Sequence, residues 1–277
     1  MIASLQRIRL IAANTFLEAV RQKFFSALLL ISVGLIFSAS FFQQFDFGTN
    51  ELKFIIDFGF GAIFFFGSIL AIAVMAQLFF NEIDSRTALT LLSKPVHRSE
   101  FLIGKFVGTQ FLLLIFVFVL SLVLVAILFW RESILLSRFG NEARLDALLH
   151  YYDIFIFAGV QWVRFCVIGA FTLLICSFAK TYVYTLVTSL FVLIVCQLQY
   201  IAHEMYAQMD IGPVRLLVQL VSWTFPNFQL FNVGDQLVLV GSSSLSNAAI
   251  IHIIGYGCIY VITYIFLAYN NFRRREI

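Results

Sequence analysis

Formal charge is missing from this sequence in long blocks, and few arrangements of a polypeptide tolerate that. Six windows, Phe24–Phe42, Phe58–Phe80, Phe106–Trp130, Ile154–Ala179, Tyr182–Ala202 and Ala248–Tyr269, hold 136 residues and one charge, Arg164. The other 141 residues hold the remaining 32 charges. A helix crossing about 30 Å of hydrocarbon needs roughly 20 apolar residues, and each window meets that length or exceeds it by what a tilted helix absorbs. Strands of a membrane barrel would alternate over segments of about 10 residues, and none of these windows alternates. Soluble domains are about 25% charged, whereas this chain is 12% charged and 61% hydrophobic. The fold class that follows is an all-α polytopic membrane protein with six transmembrane helices, the second reaching back to residue 56.

Lys and Arg outside the windows set the orientation, because basic loops stay on the cytoplasmic side. With the N-terminus inside, twelve basic residues fall in inner segments and five (Lys53, Arg131, Arg138, Arg144 and Arg215) in outer ones. Both termini are expected in the cytoplasm. Ser38-Ala39-Ser40 has the small-x-small form of a signal-peptidase site, but the charged region before it is too long for a signal peptide and reads as a helix. The longest stretch between windows, His203–Asn247, has 45 residues, and a folded domain usually takes at least about 50. No soluble catalytic or nucleotide-binding domain fits there. The net charge of +3 is accounted for by topology and gives no reason to expect nucleic acid.

The segments between windows carry patterns of their own. On a helical wheel of residues 5–23, Arg7, Asn14, Glu18 and Arg21 share one face, while Leu5, Ile8, Ala12, Phe16, Ala19 and Val20 gather on the other, as in a helix lying in the membrane interface. Between the second and third windows, Ser85–Leu92 combines Ala88, Leu89, Leu91 and Leu92 with good helix formers; Pro95 ends it, and Ser99 is placed to cap the next helix with Glu100 in its first turn. A solvated loop has no need of three leucines, so a docking surface is expected there. In the outer segment 203–246, Pro213–Trp223 and Gln229–Val240 are apolar runs too short to span, expected as two re-entrant or interfacial helices before the last span. Asn141–Tyr152 reads as a short amphipathic surface helix.

Motifs for bond chemistry are missing. Gly104-Lys105 lacks the leading glycine of a phosphate loop, His203-Glu204 is not followed by a second histidine in zinc-protease register, and no G-x-S-x-G elbow occurs. The four cysteines lie inside apolar windows at spacings of no zinc or redox motif, and no metal site is expected. Arg164 is the one intramembrane charge, which makes it a functional candidate. Without an acidic partner in any window it cannot form a proton relay, and pairing with a carbonyl or an interfacial carboxylate is expected ahead of a substrate contact.

The run Leu91-Leu92-Ser93-Lys94-Pro95-Val96-His97-Arg98, leading through Phe101, Gly104 and Lys105 into the third window, resembles the first cytoplasmic loop of ABC-2 type permeases of bacterial ABC transporters. So do the basic N-terminal helix, the six windows, the outer Pro226-Asn227-Phe228-Gln229-Leu230-Phe231 and the basic tail. The likeness is strongest to the branch that includes permeases of copper-enzyme maturation systems. It implies a single ABC-2 transmembrane domain over 1–277, with 5–23 as elbow helix and spans near 24–42, 56–80, 106–130, 154–179, 182–202 and 248–269. The loop 82–104 would hold the coupling helix and 203–246 the outer re-entrant segment.

By the same resemblance, Glu82, Asp84, Arg86, Leu89, Leu91 and Leu92 form the interface with an ABC ATPase, and Pro226, Asn227 and Phe228 belong to the outer gate. The implied function is the permease subunit of an ATP-driven exporter in the bacterial inner membrane. It would be a dimer with a second permease copy, coupled to two ATPase subunits that hold ATP and Mg, with no cofactor and no enzymatic site of its own. A stand-alone secondary transporter or a membrane-embedded enzyme is the alternative. The first would show paired intramembrane acids and matching broken helices; the second would show carboxylate, histidine or nucleophile motifs.

Overall fold

The structure is a computed structural model that describes residues 2–41, 51–84, 97–139, 151–207, 213, 219, 223–234 and 246–274. All its elements are helical: α1 (Ile2–Val20), α2 (Lys23–Ala39), α3 (Glu51–Asp84), α4 (Arg98–Phe139), α5 (Tyr151–Phe178), α6 (Tyr182–Ala207), a 3-10 turn at Phe228–Phe231, and α7 (Asn247–Arg274). Among the described residues, five helices are long and apolar enough to cross a membrane, and the pair α1–α2, bent by 62° at its junction, makes six when it is counted as one span. Each sequence window lies within one of these helices or ends within a few residues of its terminus.

α5 is the centre of the bundle. It contacts α3, α4, α6 and α7, and from Val160 to Ser177 nearly every residue is buried, as expected of a helix apolar all round. Gln161, Arg164, Thr172 and Ser177 are its buried polar residues, and Arg164 is the charged one. Phe60 of α3 stacks on Phe157 of α5 with ring centroids 3.6 Å apart, and Phe171 meets Tyr264 of α7 edge-on. By contrast α6 exposes Val183, Val187, Phe191, Ile194 and Leu198, and α7 exposes Ile251, Ile259, Ile262 and Phe266. These are the faces a bilayer or a partner covers.

α1 lies against the first half of α4, and two glycines let it come close. A Cβ on Gly104 would sit 2.6 Å from Ile11 Cγ2, and one on Gly108 would sit 2.6 Å from the backbone oxygen of Ala12 and 2.7 Å from Thr15 Cβ. Gly104 and Gly108 are four apart and share a face, the small-xxx-small arrangement that allows helix backbones to approach in membranes. Phe16 and Phe111 close the seam edge-on at 5.2 Å. The packed face of α1 runs through Ile8, Ile11, Thr15 and Ala19, whereas Leu5 and Val20 of the expected apolar face point outward, at 62% and 40% exposure.

Local expectations are adjusted at three places. α4 starts one residue before Ser99: His97 is the cap, its N–H donating to Glu100 Oε2 at 3.2 Å while its carbonyl accepts from the N–H of Glu100 and Phe101. Ser99 is therefore inside the first turn, because the acidic side chain three residues on holds the cap position from within the helix. Of the expected run Gln229–Val240, the beginning is the 3-10 turn, which Asn232 and Val233 leave. Of the segments 85–92 and 141–152 expected as short helices, the first and residues 141–150 of the second lie outside the described residues. So do 214–218 and 235–245; Tyr151 and Tyr152 open α5.

Candidate functional site

The end of the bundle where α3 stops and α4 starts is held by charge. Lys105, about two turns into α4 and immediately before the third apolar window, is 1% exposed. Its Nζ lies 2.5 Å from Glu82 Oε1 at the end of α3 and 3.9 Å from Glu18 Oε2 on α1. Arg7 of α1 pairs with Glu100 of α4 at 3.3 Å. Arg98 donates from one terminal guanidinium nitrogen to the carbonyls of Phe272 and Arg273, at 2.9 and 3.0 Å, satisfying the open end of α7. Phe79, Phe101 and Phe272 form an aromatic cluster beneath these charges, with centroids 5.8 to 6.3 Å apart.

Burying an ammonium costs several kcal/mol unless its partners are well placed. Here the two carboxylates come from two other helices, so the cost is met only when α1, α3 and α4 are assembled. Glu82, one of the expected coupling residues, takes part in this network. Asp84 is in the last turn of α3, and Arg86, Leu89, Leu91 and Leu92 lie outside the described residues. Arg98 and Lys105 stand in the run that carries the family resemblance, and Glu18 and Glu100 in helix patterns, but none of the four was expected at a site; a lysine immediately before a charge-free window of 25 residues is the signal that could have found Lys105.

The second constellation surrounds Arg164, thirteen residues along α5 from Tyr151 and so about 20 Å from its start. It is 2% exposed. Its guanidinium carbon lies over the ring of Phe64 of α3, 3.8 Å from the centroid, with the Phe228 ring at 5.0 Å. One terminal nitrogen donates to the side-chain oxygen of Gln197 on α6. No carboxylate pairs with it among the described residues. The expected carbonyl partner is thus a side-chain amide, and two rings do the rest: a desolvated cation over an aromatic face gains about 2 kcal/mol or more.

Arg164 also brings together two groups that the sequence left apart. Phe228, with 0% exposure, belongs to the segment 223–234, which enters the bundle from the α7 side. Pro226 is buried, and Asn227 caps the 3-10 turn by accepting from the N–H of Gln229 at 2.9 Å. A ladder of tyrosines along α7 holds this segment. The N–H of Asn227 donates to Tyr256 Oη at 2.8 Å; Tyr260 and Tyr264 donate to the carbonyls of Trp223 and Thr224 at 3.0 and 2.9 Å. Gln161 of α5 donates to the carbonyl of Phe231 at 3.0 Å. Every backbone group so paired is one that hydrocarbon would leave unsatisfied, and irregular backbone at membrane depth persists only when protein satisfies it.

No group of three His, Cys, Asp or Glu able to hold a metal occurs among the described residues. The two constellations are a charged clamp at one end and a pinned segment deeper in the bundle, joined through α3, α4 and α5. No curated protein matches the sequence. The family model for ABC-2 family transporter proteins matches residues 8–277, taking in all six apolar windows, the clamp and the pinned segment; the chain is a multi-pass membrane protein of that family.

Proposed function

We propose that the chain forms the translocation pathway of an ATP-driven exporter in the bacterial inner membrane, both termini in the cytoplasm. It works as a permease dimer, with a second copy or a related chain, and two copies of a separate ATPase bring ATP and Mg. Residues 1–277 form one transmembrane domain. Residues 5–23 act as elbow helix, the loop 82–104 as coupling element, and 203–246 as the outer segment, with Pro226, Asn227 and Phe228 at its gate. Export is the direction of the permeases that the loop and tail resemble.

The observation that carries the reading is the clamp at the two ends of residues 85–96. Glu82 precedes that segment, Lys105 follows it, and their side chains meet at 2.5 Å. Force applied between them enters α3 and α4 together, α1 through Glu18 and Arg7, and α7 through Arg98. A partner that binds 85–96 differently in its ATP-bound and free states can thus bias two arrangements of the bundle. Glu82, Asp84 and Arg86 supply polar contacts to the ATPase and Leu89, Leu91 and Leu92 apolar ones.

The test is co-purification of tagged, gently solubilised protein with the ATPase encoded nearest to it. The wild type is expected to bring the ATPase down with stimulated ATP turnover, and Leu91→Asp to abolish both while the membrane protein itself still elutes as one species. Unchanged association and turnover in Leu91→Asp would overturn the coupling role.

A further inference from the structure

The polar face of α1 is not used up by the clamp. Asn14, Leu17, Glu18, Arg21 and Gln22 face Gln77 and Asn81 of α3 across a cleft of about 470 Å³, in the elbow where α1 and α2 meet at 62°. The cleft carries one cation, Arg21, and one carboxylate, Glu18; apart from Leu17 the rest of its lining is amide. Both side-chain polar atoms of Gln22 are buried without a hydrogen-bond partner among the described residues. Beside this hollow the surface is apolar: Leu10, Leu17, Val20 and Phe24 are 70%, 52%, 40% and 38% exposed.

We propose that the cleft binds the headgroup of a phospholipid with a primary ammonium, a phosphoethanolamine. The phosphate is recognised by Arg21 and the amides, and the ammonium by Glu18. The acyl chains stay outside against Leu10, Leu17, Val20 and Phe24. The chemistry selects among headgroups: a primary ammonium donates charge-assisted hydrogen bonds to a carboxylate, a choline cannot donate any, and a glycerol headgroup offers no cation. Glu18 links the site to the clamp, because its carboxylate also lies 3.9 Å from Lys105. A bound ammonium places a second cation on that carboxylate from its open side.

The experiment is native mass spectrometry of the full-length protein in mixed micelles containing phosphatidylethanolamine, phosphatidylcholine or phosphatidylglycerol. Retention of phosphatidylethanolamine above the other two is expected. Arg21→Ala should lower it about tenfold, the worth of one hydrogen bond to a charged group, and Glu18→Gln should remove the preference over phosphatidylcholine. Asn14→Leu, which touches no ion pair, should weaken retention without disturbing the clamp. Equal retention of the three lipids would overturn the proposal, as would unchanged retention in all three variants. Displacement by soluble O-phosphoethanolamine at the concentration at which the lipid binds would also overturn it, by making the ligand a soluble one. A loss of ATPase association with lipid retention intact would assign the cleft to that partner instead.

Discussion

Lys105 shows what a single residue can be asked to do in this fold. At 1% exposure, with Glu82 at 2.5 Å and Glu18 at 3.9 Å, it is a buried ion whose removal strands a half-buried network of the opposite sign. Breaking a buried pair from one side costs about 3–5 kcal/mol, whereas removing both ions costs far less. Lys105→Met should therefore lower the thermal midpoint of the solubilised protein more than Lys105→Met combined with Glu82→Gln. Equal midpoints would show that the carboxylate left behind is not a stranded buried charge, and Glu82→Gln alone completes the cycle that measures the coupling. Arg164 calls for a different substitution. Lysine keeps the charge but is a compact point cation, without the forked guanidinium that meets the rings of Phe64 and Phe228 and the side chain of Gln197 together. Arg164→Lys is expected to loosen the 223–234 segment by about 1–2 kcal/mol, seen as faster thiol labelling of a cysteine placed at Val233, which is 3% exposed, with α-helical content unchanged. Arg164 stands out in the sequence by its isolation in 136 otherwise uncharged residues. Its partners do not, because Phe64, Gln197 and Phe228 lie on three other elements, and nothing in the local pattern of α5 encodes them.

Among the elements, α1 was the hardest to read correctly from the sequence. A two-sided wheel assigns it an apolar face for lipid and a polar face for water. Its real surroundings divide it into three sectors: one on α4, one lining the cleft with α3, and one outward. The α4 sector was encoded on α4 itself, in Gly104 and Gly108, where a motif search for nucleotide binding had only excluded a function. With a Cβ at position 108 placed 2.6 Å from the Ala12 carbonyl oxygen, even Gly108→Ala must push α1 away, and Gly108→Val must do so further. The expected result is release of α1 while the bundle stays folded. Cysteines at Phe16 and Phe111, whose rings meet at 5.2 Å across the same seam, should be bridged by a short bifunctional thiol reagent in the otherwise wild-type chain and not in Gly108→Val. The long spans were legible because burial in lipid demands one property, apolarity, over about 20 residues. The cap of α4 was misplaced by two residues because Ser99 and His97 both fit a boundary, and only the side-chain geometry of Glu100 decides between them.

At the scale of the whole molecule, burial is unequal among the spans, and that inequality constrains how the transporter assembles. In α3 78% of the apolar window is buried, in α6 22% and in α7 11%. A bundle this lopsided has an interior built on α3 and α5 and an apolar exterior on α6 and α7, which lipid or a second chain must cover. The native cysteines report on the difference without mutagenesis. Cys176 and Cys196 are buried, whereas Cys258 is exposed on the outward side of α7. A small, membrane-permeant maleimide should modify Cys258 in the reconstituted protein, leave Cys176 and Cys196 untouched, and reach all of them after denaturation. The comparison between the isolated chain and the complex with its ATPase carries the functional information. If lipid covers α7 in the assembled transporter, the labelling rate at Cys258 is the same in both. If the second permease subunit seats on α7, labelling falls when the complex forms and recovers when it is dissociated, and the site of protection marks the dimer face. Modification of Cys176 or Cys196 ahead of Cys258 would contradict the arrangement of α5, α6 and α7 described above.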